Sequence, residues 1–313
     1  MIVIRNIEDI RDSLRGACVT IGNFDGVHKG HQKLLARTRD KARANHQESV
    51  AITFDPHPLR VLTATNTPPF ITLLDQKLQL ISDMGIELCV VLEFTRDMAA
   101  LDPESFVHTY LVDGLNTQEL VIGYDYAFGK GRKGNYEMLT ALGHKYGFGV
   151  ERVGPYMHGD AIVSSTRIRD LVQAGNVWDA RPLLGRFYTV TGTVQHGANR
   201  GGRLLGFPTA NLKLVDELSP GLGVYACWAM VGGVTRPAVA NIGYNPTFGN
   251  DAVSVEVHIM DIEEDLYGKD LTVSFVQRLR SEKKFDDLQQ LMDQISHDIN
   301  LARTILASSE AQM

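Results

Sequence analysis

The chain has 313 residues, 44% of them hydrophobic and 22% charged, the balance of an ordinary soluble globular protein and enough length for two cores. Its formal net charge of −6 argues against a protein built to bind nucleic acid, which carries a basic face, yet a few placed cations suffice for small anionic ligands. Cys18, Cys89 and Cys227 lie far apart in apolar runs, which excludes a disulfide framework or metal-ligand spacing and reads as buried thiols in a reducing compartment. The opening MIVIRNIEDIRD carries acids and no long apolar stretch, and the run from Ile86 to Leu92 is too short to span a bilayer. The expectation is a cytoplasmic protein with no signal peptide and no membrane segment.

In chain order, ACVTIGNF, SVAITFD, LCVVLEF, ELVIG and FGVERVG read as strands. Between them Gln32–Ala44, Asp75–Met84, Pro103–Val112 and Tyr136–Tyr146 read as helices. This alternation predicts a parallel sheet with helices on its faces and ligands at the carboxyl ends of its strands. Two short helices follow, Thr166–Ala174 and Val177–Leu184. Then the rhythm changes to closely spaced strands broken by Gly, Pro and Asn: FYTVTGTV, TANLKL, GVYACWAMV, RPAVANIG, VSVEVHIMD and LTVSFVQ. Strands without intervening helices predict an antiparallel barrel. A last helix, with Phe285, Leu288, Leu291, Met292, Ile295 and Ile299 on one face, is expected to pack on it. The predicted domains are 1–184 and 185–306.

The stretch Gly22-Asn23-Phe24-Asp25-Gly26-Val27-His28-Lys29-Gly30-His31 follows a strand and opens a helix. Free N–H groups at a helix start favour phosphate, and Gly26 and Gly30 permit close backbone approach. His28 and His31, three apart, share a face and can donate hydrogen bonds to phosphate oxygens. A glycine-rich turn with two exposed histidines remains open, as does a metal site, although no third ligand stands at a convincing spacing.

This stretch resembles the His-x-Gly-His signature of nucleotidyltransferases, and in its fuller form GNFDGVHKGH that of the adenylyltransferase module of prokaryotic FAD synthetases. The resemblance continues through FDPHP (Phe54–Pro58), the block from Gly123 to Gly134 with Asp125 and Arg132, and VSSTRIR (Val163–Arg169). Ala127 stands where many members carry Arg. The resemblance implies a Rossmann-like α/β domain in which His28 and His31 act in catalysis. It places nucleotide contacts at Gly22, Asn23, Phe24, Asp25, Gly26, Asp125, Arg132, Ser164, Ser165, Thr166 and Arg169. Read from the residues alone, FDPHP is a stiff loop, Asp125 and Arg132 a loop pair, and Ser165 and Thr166 an N-cap.

No Gly-x-x-x-x-Gly-Lys-Ser/Thr occurs in the chain, so ATP in the second half must be held by other means. The candidate is the glycine-rich loop with Gly202, Arg203 and Gly206, leading through Pro208 to Thr209 and Asn211. Thr209 and Asn211 are two apart and share one side of a strand, and two neutral oxygens suit Mg2+ with phosphate and water. In VSVEVHIMD, Val253, Val255, Val257 and Ile259 fall on one face, and Glu256 and His258 on the other. Glu256 is either a solvated acid or a base for a substrate hydroxyl.

GRLLGFPTAN, GVYA, NIGYNPTF, EVHIMD and LYG occur in the order seen in riboflavin kinases. That resemblance implies a six-stranded barrel with a C-terminal helix, Thr209 and Asn211 as magnesium and phosphate ligands, and Glu256 as catalytic base. Together the two resemblances imply phosphorylation of riboflavin to FMN and adenylylation of FMN to FAD. The small-molecule substrates would be riboflavin, FMN and ATP, and no oligomeric state is assigned. An adenylyltransferase for another nucleotide and a non-catalytic flavin-binding protein are the alternatives.

Overall fold

The computed structural model describes residues 1–10, 13–63, 67–195, 207–214, 216–244, 253–262 and 264–312. Packing divides the chain into two units: Met1–Pro68 with Thr72–Ser164, and Pro69–Ile71 with Ser165–Met313.

In the first unit the alternating pattern folds as a parallel sheet of six strands: β1 (Ile2–Ile4), β2 (Ala17–Ile21), β3 (Glu48–Asp55), β4 (Leu88–Glu93), β5 (Thr117–Gly123) and β6 (Gly149–Val153). Their order is β1-β4-β3-β2-β5-β6, and every neighbouring pair is parallel. β1 is absent from the sequence reading because a three-residue edge strand carries no period to detect. β2 is buried at every position, as a central parallel strand covered on both faces must be. Val19 and Ile21 face one core with Val50, Ile52 and Leu120, while Cys18 faces the other with Cys89 and Leu35. Burial pushes the Cys18 and Cys89 thiols up to about 12, so they pack as inert apolar groups.

The chain leaves β2 toward β3 and β4 on one side and returns to β5 and β6 on the other. β2 is therefore the switch point, where an open sheet of this kind takes its ligand. The helices of this unit are α1 (Lys29–Ala44), α2 (Pro58–Leu62), α3 (Leu74–Asp83), α4 (Arg96–Ala100), α5 (Pro103–Phe106) and α6 (Tyr136–Tyr146). The expected helix Pro103–Val112 is present, but it widens to a π-helix over Val107–Asp113. The short hairpin β7 (Met157–His158) and β8 (Ala161–Ile162) closes this unit.

The second unit starts with α7 (Ser165–Gln173) and α8 (Val177–Leu184). The strands β9 (Tyr188–Gln195), β10 (Ala210–Lys213), β11 (Gly223–Val231), β12 (Val234–Tyr244), β13 (Val253–Ile259) and β14 (Asp270–Arg280) form a closed antiparallel barrel in the order β10-β13-β12-β11-β14-β9. Alternation sends Val190, Leu212, Tyr225, Ile242, Val257 and Phe275 into the core. On the opposite parity, Asn211, Asn241 and Glu256 are half-buried.

The last helix, α9 (Leu288–Leu306), packs on β11, β12 and β14. Its buried seam lies further along than expected. Leu288 is 67% exposed, whereas Ala302 and Leu306 meet Phe187, Ala226 and Val276. The buried Asp298 pins the helix through a 2.9 Å ion pair with Arg280.

Candidate active sites

The loop from Gly22 to His31 leaves the carboxyl end of β2 and runs into α1, at the switch point. His28 takes the N-cap position, and its Nδ1 accepts the His31 N–H at 3.3 Å. α1 therefore starts at Lys29, earlier than the apolar period indicates. An accepting Nδ1 carries no proton, so the proton sits on Nε2 and that N–H remains a donor. The His28 and His31 rings stack at 3.6 Å with 16° between planes, and Phe24 meets His31 edge-on at 5.4 Å. The exposed-turn alternative is excluded for His28, which is 6% exposed.

Gly30 has a steric reason in this arrangement. A Cβ there would lie 3.0 Å from His28 Cε1 and 3.1 Å from Nδ1. His31 Nδ1 is buried with no hydrogen-bond partner among the described residues. Burial, then the His28 ring and the Lys77 ammonium, hold the His31 imidazole well below its usual range, so it is neutral at rest.

Two of the loop's predicted contacts face inward. Phe24 is fully buried, and Asp25, 3% exposed, accepts the Thr72 N–H at 3.2 Å while Gly26 N–H donates to Thr72 Oγ1 at 3.0 Å. These side chains shape the loop from within. Gly22 N–H donates to the Ile52 carbonyl, and Asn23 is exposed.

Lys77 escaped the sequence reading. It lies on α3, 5% exposed, with Nζ 3.4 Å from Thr53 Oγ1, which itself donates to the Asn23 carbonyl at 3.3 Å. Burial pulls its pKa down, and the carboxylates of Asp25 and Asp55 partly offset that. The signal was available: Lys77 sits among Leu74, Leu78 and Ile81, a cation on an apolar face.

Asp125 and Arg132 are both exposed on the loop after β5, the strand beside β2, and no ion pair joins them among the described residues. Arg132 has φ 55°, and Gly129 and Gly131 are also left-handed. Phe128 and Gly134 exchange backbone hydrogen bonds at 3.2 and 2.9 Å, which closes that loop. Ala127 is half-buried between Tyr126 and Phe128, whose rings stack. His57 of the FDPHP block caps α2 by accepting the Leu59 N–H, so that block is more than a stiff loop.

The expected cap at Ser165 and Thr166 is shifted. α7 begins at Ser165, which leaves the cap position to Ser164 and places Ser165 and Thr166 in the first turn. Arg169 on α7 donates Nε–H to the Pro69 carbonyl at 3.1 Å.

In the barrel, Asn211 on β10 is the direct cross-strand partner of Glu256 on β13, and Asn241 on β12 is its partner on the other side. All three stand in one row on the half-buried face. Burial raises the Glu256 carboxyl, toward the range a proton acceptor needs. Asn241 was missed because only strand register reveals it. Thr209 is half-buried and Pro208 exposed, just before β10. Gly202, Arg203 and Gly206 lie outside the described residues, as does the Asn245–Phe248 part of NIGYNPTF.

Among the described residues no group of three or more His, Cys, Asp or Glu could hold a metal ion. The neutral oxygens of Thr209 and Asn211 fit magnesium, which retains water and phosphate as further ligands.

Comparison with known proteins covers both units. A family model for FAD synthetase matches residues 10–167, and one for riboflavin kinase matches residues 184–306. The bifunctional riboflavin kinase/FMN adenylyltransferase of Escherichia coli (strain K12) is 36% identical over 305 residues, covering 97% of each chain. That of Pseudomonas fluorescens is 37% identical over 310 residues, covering 99% of each. A crystal structure named as a macrolide-efflux protein from Streptococcus pneumoniae superposes with a TM-score of 0.84 at 33% identity, covering 96% of this chain and 98% of that one. No described helix here is long and apolar enough to cross a membrane.

Proposed function

The chain belongs to the bifunctional riboflavin kinase/FMN adenylyltransferase family, and from that premise we propose which residues carry each of its two reactions. It phosphorylates riboflavin to FMN and adenylylates FMN to FAD with release of pyrophosphate, using ATP in both steps.

For adenylylation we assign His28 and His31. The FMN phosphate attacks the α-phosphorus of ATP, and because this nucleophile is already an anion no strong base is required. Catalysis is positioning and charge stabilisation by donors set before the substrate arrives. The His28 Nε2–H is such a donor, and the neutral His31 ring beside it gains a proton more readily once phosphate replaces water. The N–H groups of the first turn of α7, with Ser164, Ser165, Thr166 and Arg169, are assigned to ATP phosphates. Asp125 and Arg132 are assigned to the substrates.

For phosphorylation we assign Glu256 as the base that takes the proton of the terminal ribityl hydroxyl as it attacks the γ-phosphorus. Thr209 and Asn211 would hold Mg2+, which when bound neutralises phosphate charge. The observation that carries this reading is the barrel register, which sets Asn211 directly opposite Glu256 although they are far apart in sequence. The functional division is assigned after Leu184, since α7 carries an adenylyltransferase motif, although packing divides the chain between Ser164 and Ser165. The three buried free thiols fit a reducing compartment, and we assign the enzyme to the cytoplasm.

The test supplies riboflavin, ATP and magnesium and resolves FMN from FAD. The unaltered protein is expected to form both. Glu256→Ala is expected to abolish FMN formation while still converting supplied FMN to FAD, and loss of both activities in a folded variant would overturn the assignment.

A further inference from the structure

His258 stands two residues beyond Glu256 on β13, on the same half-buried face. Its Nδ1 lies 3.0 Å from the Pro208 carbonyl oxygen, and its ring meets Phe207 edge-on at 5.8 Å. A carbonyl can only accept, so the imidazole donates Nδ1–H and leaves Nε2 free. The Pro208 carbonyl precedes β10, which begins at Ala210, so His258 supplies the partner that the strand ladder does not.

The position of this bond matters. Pro208 has no N–H and a restricted φ, so a pinned carbonyl sets the peptide plane that leads into Thr209. Asn211 is already held opposite Glu256 by the ladder. The His258 bond extends that control to Thr209, beyond the ladder's end. We infer that His258 is a positioning residue for riboflavin phosphorylation: it holds the Pro208–Thr209 segment so that the strand bearing the base also fixes the side chain that meets magnesium–ATP. The inference rests on the assignment of Thr209 to that ligand.

The test uses the full chain and three variants. His258→Ala removes the donor, His258→Asn keeps one at the position of Nδ1, and Thr209→Ala checks the underlying assignment. In His258→Ala the KM for magnesium–ATP in riboflavin phosphorylation is expected to rise about tenfold, with FMN adenylylation and the melting temperature unchanged. His258→Asn is expected to recover most of that loss. Independently of activity, hydrogen exchange in the peptide spanning residues 207–212 is expected to quicken in His258→Ala and return to normal in His258→Asn. Thr209→Ala is expected to lose phosphorylation. An unchanged KM and unchanged exchange in His258→Ala, beside an inactive Thr209→Ala, would overturn the inference and leave the site assignment standing. Full activity in Thr209→Ala would overturn the assignment and the inference with it.

Discussion

The parallel-sheet unit and the barrel build their sites by different means. In the first unit the chemistry sits on a loop and a helix start that are contiguous in sequence, and a buried set of groups below them (Asp25, Thr53, Thr72 and Lys77) holds the loop in shape. In the barrel the chemistry sits on strands, and lateral register lines up Asn211, Glu256 and Asn241 from three separate segments. A loop site depends on what supports it from beneath, and a barrel site depends on which residue lies beside which. Substitutions in the two regions should therefore fail differently.

The largest expected effect separates direct donors from support. His28→Ala or His31→Ala is expected to lower FMN adenylylation by about 10²–10³-fold, as removal of other pre-set donors does, with riboflavin phosphorylation intact in the same protein. Unchanged FAD formation from FMN would remove the histidines from the reaction.

Next comes a stability effect in the barrel unit. Glu217 is 7% exposed, one of its carboxylate oxygens has no partner among the described residues, and burial pushes its pKa up to about 8. With a folded value above the unfolded one, the folded protein holds a proton that the unfolded chain has lost, so stability falls as pH rises from about 4.5 to about 8. Glu217→Gln removes this dependence and is expected to stabilise by roughly 2–4 kcal/mol at pH 8, with the gain vanishing near pH 4.5. Melting temperatures across that window check it, and a gain independent of pH would show that the carboxyl is ionised in the fold.

A smaller effect probes the close fit of the loop. Gly30→Ala forces the His28 ring aside by a few tenths of an ångström and is expected to slow adenylylation about tenfold without altering the phosphorylation step. Finally, Lys77→Met removes a cation that helps keep His31 neutral. The His31 pKa should rise, so the alkaline limb of the adenylylation pH profile, where the His31 proton is lost, should move to higher pH. An unmoved limb would confine Lys77 to packing.

Much of this architecture is legible in the residues. Five of the six parallel strands and all six barrel strands carry their period or an apolar run, and α8 was read to its observed bounds because Asn176 and Gly185 punctuate it. The histidine pair was legible because its residues are neighbours along the chain. A cation among apolar residues is visible in the helix pattern at Lys77, but its role shows only when Asp25, Thr53 and His31 are seen around it. The seam of α9 was displaced because periodicity marks which face is apolar but not where along its length the barrel meets it.

Taken alone, the sequence determined two fold classes, their order, and the residue types each reaction needs, since period, turn residues and contiguous motifs are local properties. The tertiary structure decided two things. It turned Asp25 and Phe24 inward, and set Glu256 between Asn211 and Asn241. Each depends on which groups meet across space, where burial and a single hydrogen bond settle the charge and direction of a side chain.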